Sequence, residues 1–240
     1  TTTIEFVDLG YGDDISEEHG KKVLWAKCNL GAESETEYGN YYAWGETTPK
    51  ESYSLDNYLC KDYYPETLDE AHDAAAANLG YGWHMATPDE LVEMKENCIF
   101  AMKGNDFYAY PQTTVNGEPV KNVQLYNRGL FRYKSGFGSA TTPTPITDAD
   151  IVNSVKKIAQ DDNFEPHLCF PAAGHKPEGS GCCRYWLNGH GDGPLYVNNV
   201  VGGQLAAYYL GMWDGGFNTL SRAFPRYVGM PVRPVLEVEW

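Results

Sequence analysis

The chain has 240 residues, enough for one large domain or two small ones with a core that needs no staples. Its formal net charge of −15 argues against nucleic acid and anionic membrane surfaces as partners, and no run approaches the roughly 18 apolar residues of a bilayer span. Aromatic residues make up 14% of the chain, including 18 Tyr and 6 Trp, a supply of rigid amphipathic groups suited to strand packing or to a binding surface.

Residues 4–9 alternate and predict an opening strand, and residues 23–26 a second. Residues 37–46 (EYGNYYAWGE) are aromatic and punctuated by glycine, so they read as loop. Residues 68–78 are alanine-rich and predict a helix ending before Gly80. Thr87-Pro88-Asp89-Glu90 is the clearest start signal: Thr87 caps, Pro88 suits the first helical position, and Glu90 completes a capping box. Leu91, Met94, Cys98 and Met102 follow at helical spacing as a buried face. Residues 106–130 alternate around Asn116-Gly117, a hairpin signal. Residues 139–147 form a Thr/Pro-rich loop. Ile151, Val155 and Ile158 predict a short amphipathic helix behind Thr147 and Asp148. The span from about 105 to 166 reads as an insertion. Residues 167–173 predict a strand, and short segments separated by glycine follow. Residues 232–238 close the chain as a strand in which Pro234 predicts an edge or a bulge.

Catalytic motifs are missing: there is no GxGxxG before a helix, no P-loop, no HExxH and no GxSxG. Six cysteines lack CxxC spacing and a Cys/His ladder, which argues against zinc, and adjacent Cys182 and Cys183 are poorly placed to bridge each other. His84 reads as a packed core histidine, and His175 and His190 as solvent contacts in glycine-rich loops. Carboxylate pairs such as Glu17-Glu18 and Asp161-Asp162 read as solvated faces. Glu165-Pro166-His167 and Trp213-Asp214 only faintly resemble lectin calcium motifs, because amide side chains are missing at the expected places.

The most informative feature is compositional. All 12 lysines lie at or before Lys176, and only Glu237 and Glu239 of 18 glutamates lie beyond Glu178. Between Gly179 and Leu236 there is neither, where near-average usage would place about 7. The same stretch holds four Arg and two Asp, so it does not avoid charge, and it carries 11 of the 25 glycines. Depletion of Lys and Glu is ordinary at interface cores.

Several segments in order carry a resemblance: Val7-Asp8-Leu9-Gly10, Leu24-Trp25-Ala26-Lys27-Cys28-Asn29-Leu30-Gly31-Ala32, Glu37-Tyr38-Gly39-Asn40-Tyr41-Tyr42-Ala43-Trp44-Gly45-Glu46-Thr47, Gly82-Trp83-His84-Met85-Ala86-Thr87, Phe170-Pro171-Ala172-Ala173-Gly174, Tyr185-Trp186 and Val232-Arg233-Pro234-Val235. Together they resemble a family of C-type-lectin-fold domains common in Bacteroidetes and their phages. The resemblance implies one α+β domain over 1–240, with short twisted antiparallel strands, two or three helices and much irregular loop. Members of this fold include the variable proteins of diversity-generating retroelements. In these, copying errors at template adenines rewrite the C-terminal portion into most amino acids, but not Lys, Glu, Gln, Met or Trp. The resemblance thus implies a variable ligand-binding region at about 179–230, with Trp186, Gln204, Met212, Trp213 and Met230 as scaffold. The contact positions it implies are Arg184, Leu187, Asn188, His190, Asp192, Asp214, Phe217, Asn218, Leu220, Arg222, Phe224 and Arg226. No catalytic residue, cofactor or metal is expected. The implied partner is a protein or glycan on a cell surface, and the implied location is extracellular, on a bacterial surface or a phage virion. One rival is a fixed-specificity carbohydrate-binding adhesin with Trp213 and Tyr209 as stacking platforms. A second is an oxidase like the formylglycine-generating enzymes, which share the broad fold; adjacent Cys182-Cys183 does not match their cysteine spacing.

Overall fold

The computed structural model describes residues 4–11, 21–63, 65–132, 143–177, 182–188, 200–201, 204–214, 216–218 and 223–239. In chain order come β1 (Phe6–Val7), β2 (Lys21–Ala26), β3 (Tyr41–Tyr42), α1 (Ala74–Leu79), β4 (Trp83–Met85) and α2 (Pro88–Asn97). Then follow β5 (Cys98–Lys103), β6 (Asp106–Pro111), β7 (Thr113–Val115), β8 (Glu118–Val120), β9 (Val123–Tyr126), β10 (Gly129–Arg132), β11 (Thr144–Pro145) and α3 (Ala149–Gln160). The rest is strand: β12 (Leu168–Phe170), β13 (Cys183–Trp186), β14 (Val200–Val201), β15 (Gln204–Trp213), β16 (Gly216–Asn218), β17 (Ala223–Pro225), β18 (Met230–Pro231) and β19 (Pro234–Glu239). The architecture is α+β, mostly strands, with few helices and much irregular loop. Among the described residues no helix is long and apolar enough to cross a membrane.

The first and last strands close one sheet in the order β1-β2-β19-β4. The closing strand is therefore central, not an edge. Pro234 is tolerated because it is the first residue of β19, where it faces Met85. A second sheet runs β11-β10-β9-β5-β6-β12, antiparallel except for β5 beside β9. Residues 105–166 supply four of its six strands, so they form no separate lobe. One face packs under α3 through Ile99, Val123, Leu130, Val155 and Ile158. The other joins the main core, where Phe100, Phe107 and Phe170 meet Trp25, Leu91, Tyr185 and Met212. The third sheet is built around the ten-residue strand β15, which pairs with β13, β14, β16 and β17 along its length.

Local signals explain most elements. Thr87 and Glu90 form the reciprocal capping box at α2, with Pro88 in its first turn. Asp148 caps α3 through the amides of Asp150 and Ile151. Asn116 and Gly117 both have positive φ and turn β7 into β8. Two expectations shift. The helix expected over 68–78 covers only Ala74–Leu79, because Asp69 and Asp73 draw the preceding backbone into a turn and a cap. The apolar stripe after Leu91 leaves the helix at Asn97, so Cys98 and Met102 lie on β5.

Candidate functional site

Conserving backbone order around residues 170–233 falls to a set of buried hydrogen bonds from long side chains. Trp44 Nε1 donates to the Leu187 carbonyl at 3.0 Å, and Trp186 Nε1 donates to the Tyr42 carbonyl at 2.9 Å. Arg233 donates to Asn29 Oδ1 at 2.8 Å and to the carbonyls of Ala26, Lys27 and Cys169. Asn29 in turn donates to the Tyr38 carbonyl at 3.0 Å. Irregular backbone with buried polar groups needs partners of this kind.

On that frame, β13 presents Arg184 beside Gly211 of β15. The guanidinium lies over the rings of Phe224 and Tyr209, 5.1 and 5.9 Å from their centroids. Its Nη1 donates to His175 Nδ1 at 2.6 Å. A guanidinium only donates, so His175 is a neutral imidazole carrying its proton on Nε2. The His175 ring also meets Phe224 edge-on at 4.8 Å. His175 is thus a positioned member of a cation–aromatic cluster, where the sequence suggested a loose solvent contact.

His175 also lines a cleft of about 630 Å³ with Tyr38, Tyr41, Glu51, Ser52, Tyr53, Ala172, Ala173, Lys176 and Pro177. Tyr53 forms its floor. The Tyr53 hydroxyl donates to the Tyr41 carbonyl and accepts from the Lys50 amide. Its ring rests on Gly229, where an added Cβ would come within 2.8 Å of ring carbons. Tyr41 forms the wall, its hydroxyl donating to the Ala173 carbonyl at 2.7 Å. Tyr38 stands at the rim, 51% exposed. Gly39 makes the turn between them at φ +69°; a side chain there would place Cβ 2.7 Å from the Leu30 carbonyl oxygen. Lys176 is held by paired backbone hydrogen bonds with Gly229, and its ammonium lies 4.6 Å from the Tyr41 centroid. Tyr38, Tyr41, Ala172 and Ala173 stand in sequence motifs and His175 reads as a solvent contact, but none is expected from sequence to line a site; the density of tyrosines over 38–58 is the available signal.

The twelve expected contact positions separate. Arg184 and Phe224 come together at the cluster, and Asp214 is exposed at the end of β15. Leu187, Asn188 and Arg226 are buried and act as framework. Leu187 packs in the main core. Asn188 accepts from the Leu68 amide at 2.8 Å and donates to Asp73 at 2.9 Å. Arg226, 1% exposed, stacks on Trp44 at 4.2 Å and donates to the carbonyls of Ala206 and Tyr63. The polar groups of Asn188 and Arg226 are spent on buried partners rather than displayed. Phe217 and Asn218 lie on β16, with side chains outside the described residues; His190, Asp192, Leu220 and Arg222 lie wholly outside them. Of the expected scaffold set, Trp186, Met212 and Met230 are buried, whereas Trp213 is 38% exposed and belongs to the surface. The side chain of Gln204 lies outside the described residues.

Several other chemistry-bearing groups are engaged in internal contacts. Cys183 donates to the Phe170 carbonyl at 2.9 Å, and burial pushes its thiol well above the ordinary value, opposite to what a nucleophile needs. Burial likewise raises Cys169, to about 11. His84 binds Glu90 at 2.7 Å. Burial pulls its pKa down, but the Glu90 hydrogen bond and charge outweigh that, and the net direction is up. Among the described residues, no group of three His, Cys, Asp or Glu is arranged to hold a metal ion. Comparison with protein-family models, curated proteins and solved structures finds no match for this chain.

Proposed function

We propose that the chain is a ligand-recognition protein on a C-type-lectin-like fold. Its C-terminal face is diversified by a retroelement for binding a protein or glycan on a cell surface, and the protein acts extracellularly, on a bacterial surface or a phage virion. The carrying observation is the Lys/Glu-free stretch itself, from which Arg184, Asp214 and Phe224 reach the surface over buried Trp186, Met212 and Met230, while Trp213 is exposed and Leu187, Asn188 and Arg226 are buried. A face that changes must not be needed for folding, and here the tryptophan and arginine hydrogen bonds behind it carry the fold. The pairing of β19 with β2, which joins the two ends of the chain in one sheet, supports the fold assignment. The coding DNA tests the reading. Codons derived from AAC or AAT at 184, 214 and 224, beside a near-identical template repeat, are expected. Lys or Glu at these positions in sister copies would end it.

A second reading, a fixed-specificity carbohydrate-binding adhesin, is favoured by the tyrosine cleft. Tyr38, Tyr41 and Tyr53 lie outside the span 179–230 and would not vary under that mechanism. The two readings combine where a fixed cleft sits beside a variable rim.

A further inference from the structure

We propose that the tyrosine cleft takes a saccharide residue bearing a carboxylate or a sulfate. The inference rests on the reading that this face binds a ligand, and it names the chemistry of one part of it.

The lining asks for three things at once. The Tyr38 ring at the rim, half exposed, offers a flat apolar surface to the C–H face of a sugar ring. The Tyr41 face is already covered by Lys176, so the Lys176 ammonium is fixed at the wall. Its backbone is pinned to Gly229 by hydrogen bonds of 2.8 and 3.1 Å, which limits the ordering cost of binding. Lys176 has no carboxylate partner among the described residues of a chain with net charge −15, and neither has Arg184, bound to His175 on the same cleft wall. Lys176 on the cleft and Arg184 beside it place two cations together, which favours an anionic group in the ligand. Glu51 and Ser52 line the same cleft, and an ionised carboxylate accepts hydrogen bonds without donating. The ligand must therefore offer hydroxyl donors and an anionic group from one compact ring. An acidic sugar does both. An acidic peptide side chain meets Lys176 but has no hydroxyl to give Glu51, whereas a sugar ring carries both groups.

Calorimetric titration of the full chain with methyl glucuronide, glucose 6-sulfate, neutral methyl glucoside and a penta-glutamate peptide tests this. The glucuronide or the sulfate is expected to bind about threefold to fivefold more tightly than the glucoside, the upper range for one exposed charge pair. The arm that binds identifies carboxylate or sulfate. Lys176→Gln should erase that preference, and Tyr38→Ala should weaken both acidic and neutral sugars. Both side chains reach solvent, so thermal melting should stay within a degree or two and report intact folding. Equal binding of acidic and neutral sugars, binding of the peptide in their place, or no binding by any probe overturns the inference. None of these outcomes touches the diversification reading, which stands or falls on codons.

Discussion

Arg233 shows how one residue can hold a fold without a countercharge. Its guanidinium is fully buried, stacked 5.0 Å from the Phe170 ring centroid, and it satisfies three backbone carbonyls and Asn29. Asn29 then fixes the loop that carries Tyr38, so a residue far along the chain sets the cleft rim. A lysine offers a point charge in place of a planar fork and leaves several acceptors bare. Arg233→Lys is expected to lose about 3 kcal/mol in chemical denaturation, within the range for breaking a buried charged network. A loss under about 1 kcal/mol would show that the fork is dispensable. Gln124 is the opposite case. It lies on β9 between Phe100 and Phe131, fully buried, with neither amide atom hydrogen-bonded. Gln124→Met keeps the volume and removes the unpaired polar group, so stability should rise by about 1–2 kcal/mol. A drop in the denaturation midpoint would mean that the amide has a partner after all.

At the scale of elements, two carboxylates join the short β4 to its neighbours. Asp73 caps α1 and also accepts from the Met85 amide and from Asn188, which itself holds the Leu68 amide. Asn188→Ala therefore orphans the Leu68 amide and removes one partner of the buried Asp73, and a loss of about 2–3 kcal/mol is expected in thermal or denaturant melts. A neutral result would return Asn188 to the set of displayed positions. Glu90 binds His84 with one oxygen and completes the α2 capping box with the other. The folded pKa of His84 lies above its unfolded value, so the pair stabilises fully below about pH 6.5, the ordinary histidine value. That contribution drains away as pH rises through the folded value. The stability gap between wild type and His84→Gln should thus narrow on going from mildly acid to mildly alkaline pH. A constant gap would contradict the assignment. Caps and the hairpin were legible because each depends on residues three or four apart. The short α1, the central place of β19 and the cleft were not. Asp73 is claimed by Met85 twelve positions on, β19 by pairing with strands near the other end of the chain, and Tyr53 by Gly229.

Across the whole molecule, the described polar side chains of the Lys/Glu-free stretch include two groups that composition alone merges. Arg184 and Asp214 face outward, while Asn188 and Arg226 face inward and satisfy backbone groups of distant loops. Restricted vocabulary therefore does not mark display by itself; the direction of the side chain does. A surface evolved to vary should be uncoupled from stability, and a surface of fixed specificity need not be. Substituting Arg184, Asp214 and Phe224 together by a mixture of Ser, Asn, Tyr and Asp tests the distinction. If the face is uncoupled, most variants should stay within about 1 kcal/mol of wild type, because exposed positions away from special features change stability little. Phe224 is the stringent member, since its ring also packs on Tyr209 at 5.5 Å. Arg226→Ala in the same background should instead cost about 3–4 kcal/mol, through the lost stacking on Trp44 and the orphaned Ala206 and Tyr63 carbonyls. Library folding can be read by protease resistance on a display platform. If the triple library unfolds as readily as Arg226→Ala, the outward cluster is part of the scaffold. That outcome would count against diversification at these positions.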